Sequence, residues 1–209
     1  MLRHLVGENL DAPGVDSLRT FIDLIEDAKE YHRGALQIWS NQLVPLTGIA
    51  DAAQPESALA RDFAGSVDRM LFAPGGIDRS LAGPIADRLG KWGADAKQVA
   101  EALAPGYPAL REAVPTARGL ASACAVGGDA ARALAMGKPL SADALATSLA
   151  ALDRAGEPNL SATELPILAP IRLLAVAAAK QDERTKLSDA EWREKVVSAR
   201  LRDPAAGTH

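Results

Sequence analysis

The stretch that decides the fold contains two similar segments, SLAGPIADRLGKWGADAKQVAEAL at residues 80–103 and PTARGLASACAVGGDAARAL at residues 115–134. From Pro84 onward, prolines, alanines and leucines of the first segment recur 31 residues later, beginning at Pro115. Each segment has a proline near its start and small residues along one side, which is typical of a helix that approaches a neighbour closely. The pattern therefore predicts two long helices packed against each other, with the rest of the chain around them.

The composition extends this prediction to the whole chain. Of the 209 residues, 43 are alanine, which has the highest helix propensity, and only 4% are aromatic. Helical spacing of apolar residues is widespread, and no stretch shows a sustained alternation of β-branched or aromatic residues. We expect an all-α fold, an antiparallel helical bundle of about six to seven helices without a β-sheet.

Breaks in the helical pattern suggest a division of the chain. An Ala-Pro-Gly-Gly sequence separates an N-terminal helical segment, 1–73, from a helical bundle at 74–204. The first segment is predicted to hold a long helix at about 16–46 and a second at about 56–72. Residues 205–209 are expected to be a disordered tail or a cloning remnant.

Prolines and glycines mark further interruptions. The first long helix is predicted to stop between Pro45 and Gly48, because proline removes a backbone donor and crowds the preceding turn. Pro115 predicts a kink or a second helix start for the same reason. The pair Gly127-Gly128 indicates either a kink or a site where another helix approaches closely.

Polar residues before apolar runs predict helix starts. Ser80 and Ser141 are expected to cap two helices, and Ser161–Glu164 and Ser188–Glu191 have the pattern of capping boxes. In the last helix, Glu191 is followed four residues later by Lys195, which predicts an ion pair along the helix.

Large side chains are scarce, so each is a candidate core anchor or a candidate wall of a ligand groove. We expect the aromatic residues to be mainly core anchors, the alternative being a groove lined by Tyr31, Trp39, Trp92 and Tyr107. Cys124 is the only cysteine, which excludes an intrachain disulfide, and its alanine-rich surroundings predict a small buried hydrophobe.

Charge and hydropathy narrow the classes of partner. The net charge is −4, and no basic stripe with interleaved aromatic residues occurs, so nucleic acid is not an expected partner. No apolar run approaches the roughly 18 residues of a membrane span. The N-terminus lacks the apolar core of a signal peptide, which favours a soluble, cytoplasmic protein unless the chain is a fragment of a longer one.

One acidic cluster has a spacing that suits metal binding. Asp23, Glu26 and Asp27 share one face of a predicted helix and match the DxxED pattern that holds magnesium against a diphosphate in squalene-synthase-like enzymes. Such enzymes use a second acidic motif on a facing helix, and none occurs between Ser80 and Ala179. The competing interpretation is a solvated helix face, and we expect no cofactor.

The segment Ser80–Leu103 resembles the helical region that follows the catalytic barrel in family 84 glycoside hydrolases, the O-GlcNAcase and bacterial hyaluronidase-like β-N-acetylglucosaminidases. In that family the catalytic pair of adjacent aspartates lies on the barrel, and this chain contains no Asp-Asp dipeptide. The resemblance therefore implies an excised accessory domain that is not an enzyme by itself. In such enzymes the helical region can take part in dimerisation and border the substrate cleft.

Three functions follow as expectations. The first is a non-catalytic accessory or interaction domain, whose partner is a parent catalytic domain or a second copy of the chain. The second is a stand-alone helical enzyme or sensor that binds a divalent metal and a diphosphate through Asp23, Glu26 and Asp27. The third is a homo-oligomeric helical scaffold.

Overall fold

The protein is all-α in the part that the computed structural model describes, which comprises residues 29–47, 58–103, 113–156 and 165–201. These residues form seven helices and no strand, which confirms the predicted helical bundle. Short 3₁₀ turns, Arg79–Leu81 and Gln181–Lys186, precede the third helix and follow the sixth. The helices are α1 at residues 29–47, α2 at Ala58–Leu71, α3 at Ala82–Leu103, α4 at Ala113–Met136, α5 at Ala142–Gly156, α6 at Leu168–Lys180 and α7 at Asp189–Leu201.

The two similar segments form α3 and α4, which share the most extensive interface between described helices. A Cβ placed on Gly93 would lie 3.2 Å from the Cβ of Cys124, and one placed on Gly127 would lie 2.9 Å from Cδ1 of Leu89. From the first contact to the second, the position moves back from Gly93 to Leu89 on α3 and forward from Cys124 to Gly127 on α4. The two helices are therefore antiparallel. Gly93 and Cys124 are also 31 residues apart, so at this one contact equivalent positions of the two segments meet.

The alternatives left open for the second segment are now resolved. Gly127 is buried within a continuous helix, where it admits the side chains of Leu89 and Ile171 rather than producing a break. Pro115 is the third residue of α4, in the first turn, where its missing donor costs no intrahelical bond. The glycine pair is thus a site of close approach, and the predicted kink at Pro115 is a helix start.

The centre of the bundle is α6 rather than the α3–α4 pair. Nine of its residues are buried, and it contacts α2, α4, α5 and α7. A helix that is apolar on all sides must be enclosed by other elements, because no face of it benefits from contact with water. Pro170 lies in its first turn, where the missing backbone donor costs no intrahelical bond.

The first helix contains a wider turn near its end. Pro45 lies within α1, and the preceding residues Trp39–Leu43 form a π-helical turn in which the Val44 N–H donates to the carbonyl of Trp39. Proline cannot donate to the carbonyl four residues back, and a wider turn accommodates its ring. The helix therefore continues to residue 47.

The capping predictions are confirmed at two helices and corrected at a third. Ser141 accepts from the N–H of Ala144 at 3.1 Å, and Ser188 and Glu191 form a reciprocal capping box. Before α3 the capping side chain is Asp78, which accepts from the N–H of Ser80 at 3.0 Å. The Ser161–Glu164 box lies outside the described residues.

The last helix is fastened to the second by a buried tryptophan. Trp192 is fully buried, and its Nε1 donates to the carbonyl of Leu71 at 2.8 Å. That carbonyl belongs to the last turn of α2, where the helix itself supplies no partner. Residues 58–71 belong to the same hydrophobic cluster as the rest of the bundle, and the division into segments 1–73 and 74–204 stays a prediction.

Candidate functional site

The acidic cluster predicted from the sequence cannot be placed in the fold, because Asp23, Glu26 and Asp27 lie outside the described residues. Within the ranges that are described, no group of three or more histidine, cysteine, aspartate or glutamate side chains is arranged to hold a metal ion. The diphosphate hypothesis therefore stays a prediction from the sequence.

The aromatic residues do not converge on one groove. Trp92 is buried and its ring meets that of Phe63 edge to face, with centroids 5.3 Å apart. Trp39 is half-buried against the core, whereas Tyr31 is exposed at the outer side of α1. Tyr107 lies outside the described residues. Trp92 is thus the core anchor that the sequence predicted.

A groove of about 340 Å³ lies between α4 and α5, and we call it the α4–α5 groove. Its polar lining comes from two exposed arginines, Arg118 on α4 and Arg154 on α5, together with the exposed Ser122. The rest of its wall is made of small apolar residues: Pro115, Gly119, Ala151 and Ala155.

The floor of the groove exists because the two helices nearly touch there. A Cβ placed on Gly119 would lie 2.5 Å from the backbone oxygen of Ala155 and 3.1 Å from its Cα. Only glycine permits this approach without moving a backbone. Since the residues next to the contact are small, the space above it stays open between Arg118 and Arg154.

Several arginines of the described bundle already have a partner, and the two arginines of the groove do not. Arg88, Arg132, Arg172 and Arg184 each form an ion pair with an aspartate, and Arg193 lies over the ring of Phe72. Neither Arg118 nor Arg154 makes an ion pair or a hydrogen bond with any other residue that the structure describes. Their guanidinium groups are therefore available to a ligand at a shared surface.

Two exposed guanidinium groups beside an apolar floor define what the groove can recognise. A guanidinium donates paired hydrogen bonds in a fixed plane, which matches the two oxygens of a carboxylate or of a phosphate. The small residues between them offer contact to a small apolar group and carry no nucleophile or general base. The arrangement suits binding.

The sequence predictions did not single out this site. Arg118 has no acidic residue three or four positions away, since Val114, Pro115, Ala121 and Ser122 occupy those positions. That absence signals an arginine without a partner on its own helix. The convergence of Arg118 with Arg154 depends on how α4 and α5 pack, which no local pattern shows.

A second polar region surrounds the connection between α6 and α7, and its groups are engaged in holding the fold. The buried Arg184 donates to the carbonyl of Leu187 at 3.0 Å, pairs with Asp189 and lies against the ring of Trp192. The buried Gln181 donates to the carbonyl of Ala178 at 3.1 Å. These bonds satisfy carbonyls near the end of α6 and in the following turn.

A depression of about 300 Å³ lies beside this region, lined by Lys180, Glu191, Glu194, Lys195, Ser198 and Ala199. Lys195 pairs with Glu183, and not with Glu191 as the helical spacing predicted, while Glu191 serves the capping box. Its lysines and glutamates balance in charge, and two of the four already have structural roles. This depression is therefore a weaker candidate than the α4–α5 groove.

Three ionisable groups in the described ranges have shifted pKa values, and all three shifts have structural causes. Burial raises the pKa of the Cys124 thiol to about 12, in agreement with the predicted small buried hydrophobe. The hydrogen bond from Lys195 lowers the pKa of Glu183, and the bonds from Ser188 lower that of Glu191. None of the three lines the α4–α5 groove.

Comparison with protein-family models, with curated proteins and with solved structures gives no match to this chain. None of the helices in the described ranges combines the length and the apolar character needed to cross a membrane.

Proposed function

We propose that the chain is a non-catalytic helical interaction domain that binds a protein partner through the α4–α5 groove. The observation that carries this proposal is the position of Arg118 and Arg154, which line one groove and have no ion-pair or hydrogen-bond partner among the described residues. Arg88 and Arg132, at helix surfaces elsewhere, are paired with aspartates. Arg33 and Arg61 are exposed without such a partner among the described residues, but they do not line this groove. An interaction surface explains why two such arginines lie together in one groove.

The shape of the groove favours a segment of a protein over a small molecule. Small-molecule sites are deep and enclose most of their ligand. Here the polar lining residues Arg118, Ser122 and Arg154 are all exposed, so an occupant stays largely in contact with water. A side chain from a partner can rest on the floor at Gly119 and Ala155 while the partner continues outside.

The resemblance of Ser80–Leu103 to family 84 glycoside hydrolases supports a more specific proposal, that the partner is a β-N-acetylglucosaminidase-type catalytic domain. This segment forms a 3₁₀ turn and α3, and α3 packs on α4, the helix that supplies one wall of the groove. In the test, a catalytic barrel is joined to the chain or added to it, and the melting temperatures of both are measured. We expect both melting temperatures to change when the two are together.

The experiment that tests the interaction domain is site-specific photo-crosslinking. A photoreactive amino acid replaces Ser122 in the groove and, in a matched control, replaces Ala94, which is exposed on α3 outside the groove. In the cells from which the chain comes, we expect a discrete adduct from position 122 and none from position 94. The adduct is identified by mass spectrometry.

Two results would contradict the proposal. Equal adducts from positions 122 and 94 would mean that the groove has no preference for a partner. Adducts confined to a second copy of the chain would replace the proposal with the homo-oligomeric scaffold, and sedimentation at several concentrations would show that dimer directly.

A further inference from the structure

We infer that the occupant of the α4–α5 groove is an acidic protein segment in which two carboxylates flank apolar side chains. This inference rests on the proposed function and adds the chemistry of the partner. It follows from three features of the groove: the charge at its edges, the type of cation there, and the apolar character of its floor.

The charge at the edges is positive, and no described residue forms an ion pair with it. Arg118 and Arg154 come from different helices, and the third polar lining residue, Ser122, is neutral. Two guanidinium groups without ion-pair partners at one surface attract an occupant that brings two negative charges. Arg154 also lies in the last turn of α5, where its charge complements the helix dipole.

The floor determines the character of what lies between the two charges. Gly119 and Ala155 are in backbone contact, and Pro115 and Ala151 complete the apolar wall. The groove offers about 340 Å³ beside the two arginine side chains, which is room for more than one apolar side chain. An acidic segment with apolar residues between its carboxylates fits this lining.

The surroundings favour carboxylates on a protein over a polyanion. The Asp153 carboxylate precedes Arg154 in the chain, is about half exposed and pairs with Arg172 at 2.6 Å. The whole chain carries a net charge of −4. A nucleic acid presents a continuous row of phosphates that meets this negative charge beyond the groove, whereas a short acidic segment contacts only the two arginines.

The test uses short fluorescent peptides in which two glutamates are separated by one to four apolar residues, with glutamine counterparts as controls. Binding is measured by anisotropy with the whole chain. For at least one spacing, we expect the glutamine counterpart to bind at least about tenfold more weakly, since the loss of charge removes the charge-assisted bonds. We also expect affinity to fall as salt is raised.

The chain offers a matched control for the arginines. R118A/R154A removes the two groove cations, whereas R33A/R61A removes two exposed arginines that also have no ion-pair or hydrogen-bond partner among the described residues. Both double variants change the net charge equally. We expect R118A/R154A to weaken glutamate-peptide binding about tenfold or more, and R33A/R61A to change it by less than about twofold.

A further variant separates guanidinium recognition from charge alone. R118K/R154K keeps both positive charges and loses the planar donor pairs, so we expect an affinity between those of the wild type and R118A/R154A. Thermal melting of each variant shows that the fold is retained. Equal binding by glutamate and glutamine peptides, or equal losses in the two alanine double variants, would overturn the acidic partner.

The outcomes separate this inference from the proposed function. If position 122 gives a discrete partner adduct that survives R118A/R154A and the glutamate peptides do not bind, the partner is real and is not acidic. If position 122 gives no adduct, the interaction domain itself is wrong. An adduct between position 122 and another part of the same chain would identify that part as the occupant and overturn the inference.

Discussion

The two sides of α4 use small residues to opposite effect. On the side of α3, Gly127 and Cys124 let a neighbouring helix approach, and the space is filled by Leu89 and Ile171. On the side of α5, Gly119 also permits contact, but the space beside it stays open between two exposed arginines. Small residues alone therefore do not make a closed interface, because large side chains must also fill the gaps between helices.

The reactivity of thiols gives the largest expected difference between the two sides. Because burial raises the pKa of Cys124 to about 12 from an ordinary 9.0, its thiolate fraction at pH 8 falls about a thousandfold. In S122C the new thiol lies on the exposed side only two residues away. We expect rapid labelling at position 122 and almost none at Cys124, measured with a chromogenic disulfide. Comparable rates would mean that the α3–α4 interface opens readily.

The repeated leucines test whether the filled side is symmetric. Leu89 and Leu120 occupy equivalent positions in the two segments, and both are fully buried. We expect L89A and L120A each to lower the free energy of unfolding by about 3 kcal/mol, since each leaves a cavity in a packed core. Chemical denaturation measures both. If the losses of L89A and L120A differed by more than about 3 kcal/mol, the two segments would be similar in sequence but not in packing.

Replacing Gly119 and Gly127 with alanine, one at a time, compares the two sides of α4 directly. A Cβ at position 119 meets the backbone of Ala155, which cannot move without α5, whereas one at position 127 meets the flexible ends of Leu89 and Ile171. We expect G119A to cost about 2 kcal/mol and G127A about 1 kcal/mol.

The control for this pair is Gly90, which is exposed within α3 and has no atom within 4 Å of a placed Cβ. Alanine there should stabilise the chain by about 0.5 to 1 kcal/mol, through a lower backbone entropy of the unfolded state. If G119A proved as stable as G90A, the close contact of α4 with α5 would be wrong.

Lowering the pH gives the smallest expected effect, and the carboxylates that it protonates lie away from α4. The pKa values of Glu183 and Glu191 lie below the ordinary 4.5 in the folded chain because of the bonds from Lys195 and Ser188. Their contribution to stability is therefore present above pH 4.5 and is lost as pH falls through the folded values. We expect E183Q to lose less stability than the wild type between pH 5 and pH 3, measured by melting temperature. An unchanged pH profile would contradict the pairing with Lys195.

Patterns within single segments predicted a large part of the fold. The offset of 31 residues identified the α3–α4 pair, and the caps at Ser141 and Ser188 follow from local hydrogen bonding that the sequence alone encodes. The buried state of Cys124 followed from its alanine neighbours. Each of these depends on residues close in sequence or on a repeated pattern.

Features that depend on distant residues were not predictable in the same way. The bond from Trp192 to the carbonyl of Leu71 joins positions 121 residues apart, and Arg184 became buried through its contacts with the turn and with α7. The π-helical turn before Pro45 was likewise not among the sequence predictions. The α4–α5 groove belongs to this group, since Arg118 and Arg154 meet only through packing.

The measurement that tests the central claim most directly is the yield of the partner adduct at position 122 in two backgrounds of equal charge. The groove predicts that R118A/R154A abolishes the adduct and that R33A/R61A retains it, with both variants folded. Equal yields in the two backgrounds would show that the arginines of the α4–α5 groove do not bind the partner.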